Sequence, residues 1–206
     1  MDAWAAGDKA AAGELFHKHF RRVYRFLRSK TERDVDDLVQ DTFLACIESR
    51  DRFRRDAAFT TFLYAVARNV LGKALRKRAK GTESPDFGVT SLFDLGETPS
   101  QLLVRHGEQR LLLEGLRRLP VDDQILVELH YVERLSGPDL ARIFDTTLPA
   151  MRSRLRRARE RLGAAMKELS ESPDLLESTI TRFEDWAVEI RDLFDPPDSA
   201  RAPSGR

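Results

Sequence analysis

An all-α fold is predicted: two small helical domains on a flexible linker, the second with a helix-turn-helix, followed by a C-terminal amphipathic helix. Three observations carry it. Apolar residues recur at helical spacing almost everywhere, with no convincing alternating strand. Between residues 80 and 100, Gly81, Pro85, Gly88, Gly96 and Pro99 interrupt every periodic run. Further on, two short capped helices flank a tight turn. The expected borders are 1–79, a linker at 80–100, 101–169, and an acidic extension at 170–206 with a disordered end. A linker of this length predicts domains that need not pack on each other.

Composition narrows the function. Of 206 residues, 41% are apolar and 33% charged, above the usual quarter, which suits short helices with much solvated surface. The longest stretch without a charge, Ala57 to Ala67, is far short of the roughly 20 residues a membrane span needs. No secretory signal is recognised, and a cytoplasmic location without membrane insertion is expected. The single cysteine, Cys46, excludes an intramolecular disulfide framework and a multi-cysteine metal site. No nucleophile elbow, phosphate loop, dinucleotide turn or His-Glu-x-x-His helix occurs, so neither enzyme activity nor a cofactor or metal is expected. His17, His19, His106 and His130 read as surface or boundary histidines.

The net charge of +1 hides a segregation. Residues 1–79 carry 17 Lys/Arg against 11 Asp/Glu, and residues 111–169 carry 11 against 9. Between them, residues 80–110 carry 3 against 5, and residues 170–206 carry 4 against 9. Two basic blocks thus flank an acidic connector and precede an acidic tail.

The first helix is expected from Asp8 to Ser29, with Leu15, Phe16, Phe20, Val23, Tyr24 and Leu27 inward. The second, from Asp34 to Ser49, places Val35, Leu38, Val39, Thr42 and Cys46 on its core face. Cys46 there is a small buried hydrophobe. Leu44 falls opposite, among Asp37, Gln40, Asp41 and Glu48, an acidic face with an apolar centre that can dock a basic partner. After the arginine-rich break Arg50–Asp56, a third helix runs from Phe59 to Arg78. It becomes basic through Arg68, Asn69, Lys73, Arg76 and Lys77. The preceding Arg52, Phe53, Arg54 and Arg55 interleave a ring with cations, as surfaces for single-stranded nucleic acid do.

Past the linker, helices are expected from Ser100 to Leu119 and from Pro120 to Glu133. Ser136 caps the next one, with Pro138 and Asp139 in its first turn and Leu140, Ile143 and Phe144 inward. Asp145-Thr-Thr147 breaks it; Thr147 caps a last helix with Pro149 in its first turn. On that helix Met151, Leu155, Ala158 and Leu162 form a buried stripe. Opposite it lie Pro149, Ser153, Arg156 and Arg157, with Arg152 and Arg154 on the flanks. Six arginines between 152 and 161 face one acid, Glu160, as in a helix that reads the major groove; a merely solvated helix is the bland alternative.

Asp36-Asp-Leu-Val-Gln-Asp-Thr-Phe-Leu44, Phe53 and Phe59-Thr-Thr-Phe-Leu-Tyr-Ala-Val-Ala-Arg-Asn69 closely resemble domain two of the extracytoplasmic-function sigma factors of bacterial RNA polymerase. Leu119 through Leu162, with Arg154-Leu-Arg-Arg-Ala-Arg159, resembles their domain four. The resemblance implies a promoter-specificity subunit whose partners are core RNA polymerase and promoter DNA. An anti-sigma factor or other regulator is left open as a further partner. By carry-over, Asp37, Leu38, Gln40, Asp41 and Leu44 dock on the polymerase. Arg52, Phe53, Arg54, Arg55, Arg68, Asn69, Lys73, Arg76 and Lys77 meet the −10 element. Thr147, Pro149, Ala150, Arg152, Ser153, Arg154, Arg156 and Arg157 meet the −35 element. Phe62 stands where the family usually has tryptophan and Asp145 where it has a turn glycine. Pro149-Ala-Met151 also departs from the family, so the promoter sequence does not follow.

In the extension, Ser172-Pro173-Asp174 starts a helix whose stripe is Leu176, Ile180, Phe183, Ala187, Ile190 and Phe194, widened by Trp186 and Leu193. Three roles are open: packing against the second domain, an acidic cover over DNA- or polymerase-binding surface whose truncation raises promoter affinity or transcription, or recruitment of a separate regulator. The rival to the whole reading is a helix-turn-helix repressor or activator that binds duplex DNA independently of polymerase.

Overall fold

The computed structural model describes residues 4, 6–31, 35–53, 58–79, 107–170 and 172–185, and among these every regular element is helical. The linker, Arg54, Arg55 and the helical stripe beyond Asp185 lie outside the described residues.

The first module comprises α1 (Lys9–Arg28), α2 (Val35–Glu48), a 3-10 turn (Arg50–Arg52) and α3 (Phe59–Ala79). Asp8 caps α1, its carboxylate accepting from the amides of Ala10 and Ala11 at 2.8 and 3.2 Å. The helices enclose Val23, Phe26, Leu27, Val39, Cys46, Leu63, Tyr64, Ala67 and Leu71, all nearly inaccessible. Thr42 enters this core without penalty because its hydroxyl donates to the Leu38 carbonyl at 2.7 Å.

Two expectations for α1 are corrected. Phe20 and Tyr24 are exposed, stacked on each other at 6.1 Å, whereas His19 and Phe26 are buried. The physical reason is coverage. Within the module α1 packs on α2 and α3, which cover an arc centred on His19, Val23, Phe26 and Leu27, narrower than the apolar arc of its sequence.

The second module comprises α4 (Gly107–Arg117), α5 (Val121–Val127), a π-helical turn (Glu128–Val132), α6 (Gly137–Ile143) and α7 (Leu148–Leu169). Its core includes Leu112, Leu119, Ile125, Leu126, Leu129, Leu140 and Met151. Helices α4 and α7 touch at Gly115, where an added Cβ would lie 2.7 Å from Met166 Cγ. The caps at Ser136 and Thr147 form as the sequence indicates, accepting from the amides of Asp139 and Ala150.

Between α6 and α7 the chain turns through Asp145 at φ 50°, in the left-handed region that Asp tolerates better than most residues. Asp145→Val is therefore expected to cost about 1–2 kcal/mol, the left-handed penalty for a side chain with Cβ branching. Asp145→Gly should keep or raise stability. Thermal denaturation of the two variants checks both signs.

The extension contributes α8 (Pro173–Thr181), which packs on α4 and α7. Leu175 and Leu176 join the second module's core, and Phe183 meets Tyr131 edge-to-face at 4.6 Å. For residues 172–185 the geometry is thus that of a packing element.

The two modules also pack on each other: α3 lies against α6. The sequence left open whether the modules pack; complementary charges, described next, bring them together.

Candidate nucleic-acid and polymerase interfaces

Helix α7 meets the requirements of a groove reader. Met151, Ala158 and Leu162 are buried and Leu155 half-buried, while Pro149, Ala150, Arg152, Ser153, Arg156 and Arg157 are exposed around the end capped by Thr147. Arg156 donates to Glu160 at 2.6 Å, but both side chains are mostly exposed, so the pair contributes little and exchanges readily for another anion. Arg154 behaves differently. It turns inward, half-buried, to Asp122 at 3.0 Å, with its guanidinium carbon 4.8 Å from the Phe144 ring centroid. Arg159 is likewise drawn over Tyr131, 5.7 Å from its centroid. Burial there pushes the Tyr131 hydroxyl above its ordinary range.

On α3, Asn69, Lys73, Arg76 and Lys77 are exposed along one strip, set by the four- and three-residue steps between them. Arg68, one residue off that strip, points to the second module. Its Nε and Nη2 donate to the two oxygens of Asp122, each at 3.0 Å, and it lies 4.5 Å from the Phe144 centroid. At the end of the 3-10 turn Arg52 is exposed, while Phe53 is half-buried among rings. Trp4, at 2% exposure, forms the centre of that cluster, edge-to-face on Phe53 at 5.4 Å and Phe59 at 5.0 Å and tilted on Phe62 at 6.0 Å. Phe53 is thus held by an aromatic cluster whose middle residue comes from the other end of the domain. Phe62, in the family's tryptophan position, belongs to the same cluster.

The acidic-apolar face of α2 is assembled as expected at Asp37, Gln40, Asp41 and Leu44, all exposed, with Leu44 at 48%. Ile47 extends its apolar part at 44%. Leu38 is the correction. At 6% exposure it belongs to the buried stripe with Val35, Val39, Thr42 and Cys46, one helical turn apart along the opposite side.

Cys46 is fully buried, and desolvation of the thiolate pushes its pKa up to about 12. At pH 8 the native chain is expected to leave a disulfide reagent untouched, and the denatured chain to release one thiol equivalent. Fast native-state reaction would contradict the burial.

Sequence reasoning missed Trp4 and the acids Asp122, Glu128 and Glu133. Asp122 receives both Arg68 and Arg154. Glu128 pairs with Lys30, which is 1% exposed, and Glu133 pairs with Arg25. Burial lowers the Lys30 ammonium from its ordinary range, against the opposing pull of Glu128. The only sequence signal at Asp122 was an acid in a first helical turn, which the helix dipole alone explains. Among the described residues no cluster of His, Cys, Asp or Glu has metal-binding geometry, and no helix is long and apolar enough to cross a membrane.

Comparison with known proteins places both modules. Residues 15–81 match the family model for Sigma-70 region 2, and residues 109–162 that for Sigma-70, region 4. The chain is 31% identical over 174 residues to the ECF RNA polymerase sigma-E factor of Haemophilus influenzae, covering 79% of this chain and 91% of that protein. It is 31% identical over 172 residues to the ECF RNA polymerase sigma factor SigM of Mycobacterium tuberculosis, covering 82% and 84%. Similar solved structures are CnrH in complex with the cytosolic domain of CnrY (TM-score 0.58, 24% identity, 81% and 94% covered) and RpoE with the anti-sigma factor NepR from Bartonella quintana. The latter has a TM-score of 0.60 at 23% identity, with 75% and 96% covered.

Proposed function

The chain belongs to the ECF sigma factors of bacterial RNA polymerase, and from that premise we propose how its surfaces divide the work of promoter recognition. It is an alternative sigma factor that binds core polymerase, recognises −10 and −35 elements and promotes initiation. Sigma factors are generally non-enzymatic, and we assign this chain no catalytic residue.

The observation that carries the assignment is α7, which buries one stripe and exposes arginines around a capped N-terminal end. We assign residues 101–169 to the −35 element, read by Arg152, Ser153, Arg156 and Arg157 in the major groove, with Arg154 joining once released from Asp122. Thr147, Pro149 and Ala150 set the entry of the helix, and their amide end suits a phosphate. Residues 1–79 take the −10 element and the polymerase. Asn69, Lys73, Arg76 and Lys77 follow the backbone, joined by Arg68, and the Arg52–Arg55 segment holds an extruded base. Melting draws on binding energy alone: stacking contributes roughly 1–3 kcal/mol per captured base, comparable with the unpairing cost. Asp37, Gln40, Asp41 and Leu44 form the polymerase-docking face. The RpoE–NepR complex supports an anti-sigma protein as a further partner class.

Run-off transcription with core polymerase across a promoter pool tests the reading; transcripts from specific start sites are expected. Co-purification with core polymerase in the absence of DNA separates it from the repressor alternative, which has no reason to bind the enzyme.

A further inference from the structure

The segment proposed to hold an extruded base is flanked by two rings, Phe53 at the end of the 3-10 turn and Phe59 at the start of α3. Both rings touch one side chain, that of Trp4, edge-to-face at 5.4 and 5.0 Å. The direct separation of Phe53 from Phe59, 6.1 Å, is longer than the distance of either ring to Trp4. Phe62 completes the cluster, 5.4 Å from Phe53 and 6.0 Å from Trp4. Trp4 thus joins the two ends of the base-holding segment. At 2% exposure it cannot itself touch DNA.

The residues just ahead of α1 make a second contact with the same turn. The Gly7 amide donates to the Trp4 carbonyl at 2.9 Å, and Gly7 reverses the chain at φ 97°, where a side chain is disfavoured. That reversal carries Trp4 back onto the module, while Asp8, next in sequence, caps α1. It also lays Gly7 against the Arg50 guanidinium, so that an added Cβ would lie 3.1 Å from Nη1. Arg50 opens the 3-10 turn, and its carbonyl accepts from the Phe53 amide at 3.0 Å. The start of the turn and the ring at its end are therefore both held from the beginning of the chain.

A pocket that reads a base must be fixed to about 0.5 Å, and packed neighbours supply a precision that a loop alone does not. Ends joined in advance also spare the complex the entropic cost of ordering them on binding. A ring that merely filled the core would act on stability alone. Trp4 differs because its partners are the two ends of the segment that meets the −10 element.

We infer that Trp4 is a positioning residue for −10 recognition: it sets the spacing of Phe53 and Phe59, and with it the fit of the extruded base, without contacting DNA. The inference rests on the −10 role proposed for residues 52–55.

The test uses the full chain bound to core polymerase, on a promoter recovered from the pool and on versions changed singly at −10 and −35 positions. A ratio of run-off signals cancels the folded fraction, so lost stability alone does not move it. The unsubstituted chain should discriminate about tenfold or more at a −10 base that it reads. Trp4→Leu, which keeps an apolar side chain but no ring, should reduce that ratio to about twofold and leave the −35 ratio unchanged. Trp4→Phe, which restores a ring, should recover most of it. Unchanged −10 discrimination in Trp4→Leu overturns the inference, as does an equal fall at both elements. Should Trp4→Leu give no transcript, Gly7→Ala decides. It removes no ring, yet it disturbs the turn at Arg50 and should lower −10 discrimination at least about twofold. Unaltered discrimination in that variant overturns the inference. If the unsubstituted chain shows a −35 preference but none at −10, the −10 role itself fails and the inference with it.

Discussion

Replacing Arg152, Arg156 and Arg157 together by alanine should remove −35-dependent transcription while leaving the fold intact. A well-placed arginine contributes about 1–3 kcal/mol of base discrimination, and three such losses imply at least about a hundredfold weaker binding. The protein should tolerate the change because the three side chains are exposed and alanine is the better helix former. The Arg156–Glu160 pair contributes little, since both partners are largely in water. Two readouts separate base reading from general attraction. Binding to a −35 duplex should fall steeply, and its salt dependence should flatten as phosphate contacts disappear. A variant of unchanged melting temperature that still used −35 promoters at the parent's level would remove α7 as the reader.

The second large effect concerns the polymerase. Asp41→Lys with Leu44→Asp reverses the charge at position 41 and makes the apolar centre of the α2 face polar. Both positions are exposed, Leu44 at 48%, so the core of α1, α2 and α3 should not notice. Buried apolar anchors and complementary charges dominate docking surfaces, and a loss of about 2 kcal/mol or more, some thirtyfold, is expected. The measurement is co-elution with core polymerase in the absence of DNA, beside binding to an isolated −35 duplex. Binding to the duplex should persist. Undiminished co-elution would move the docking face elsewhere on the chain.

Both expectations draw on features legible in the sequence. The α2 and α7 faces follow from the side-chain period, and the buried stripes Val35, Val39, Cys46 and Met151, Ala158, Leu162 lie where that period puts them. The caps at Ser136 and Thr147 and the left-handed Asp145 are equally local, decided within three or four residues. The misreadings of burial share a cause. Phe20 and Tyr24 are apolar residues whose burial depends on how far a neighbouring helix extends over them, not on their own spacing. Leu38, by contrast, is buried where its spacing puts it and departs only from the docking role that the resemblance implied. Trp4 lies in a segment without periodicity, and its place among Phe53, Phe59 and Phe62 arises only when remote parts of the chain converge.

By itself the sequence determined the helices, their caps and their faces, along with the cationic character of both modules and their family. All of these are set by residues a few positions apart or by composition. It could not determine which charge meets which. With 35 Lys and Arg against 34 Asp and Glu, almost any pairing satisfies the totals. Lys30 meets Glu128, and Asp122 meets Arg68, only because the modules fold toward each other across a long separation in sequence. An ion pair depends on distance in space; local periodicity fixes the direction of a side chain on its own helix and says nothing about what another helix brings to it.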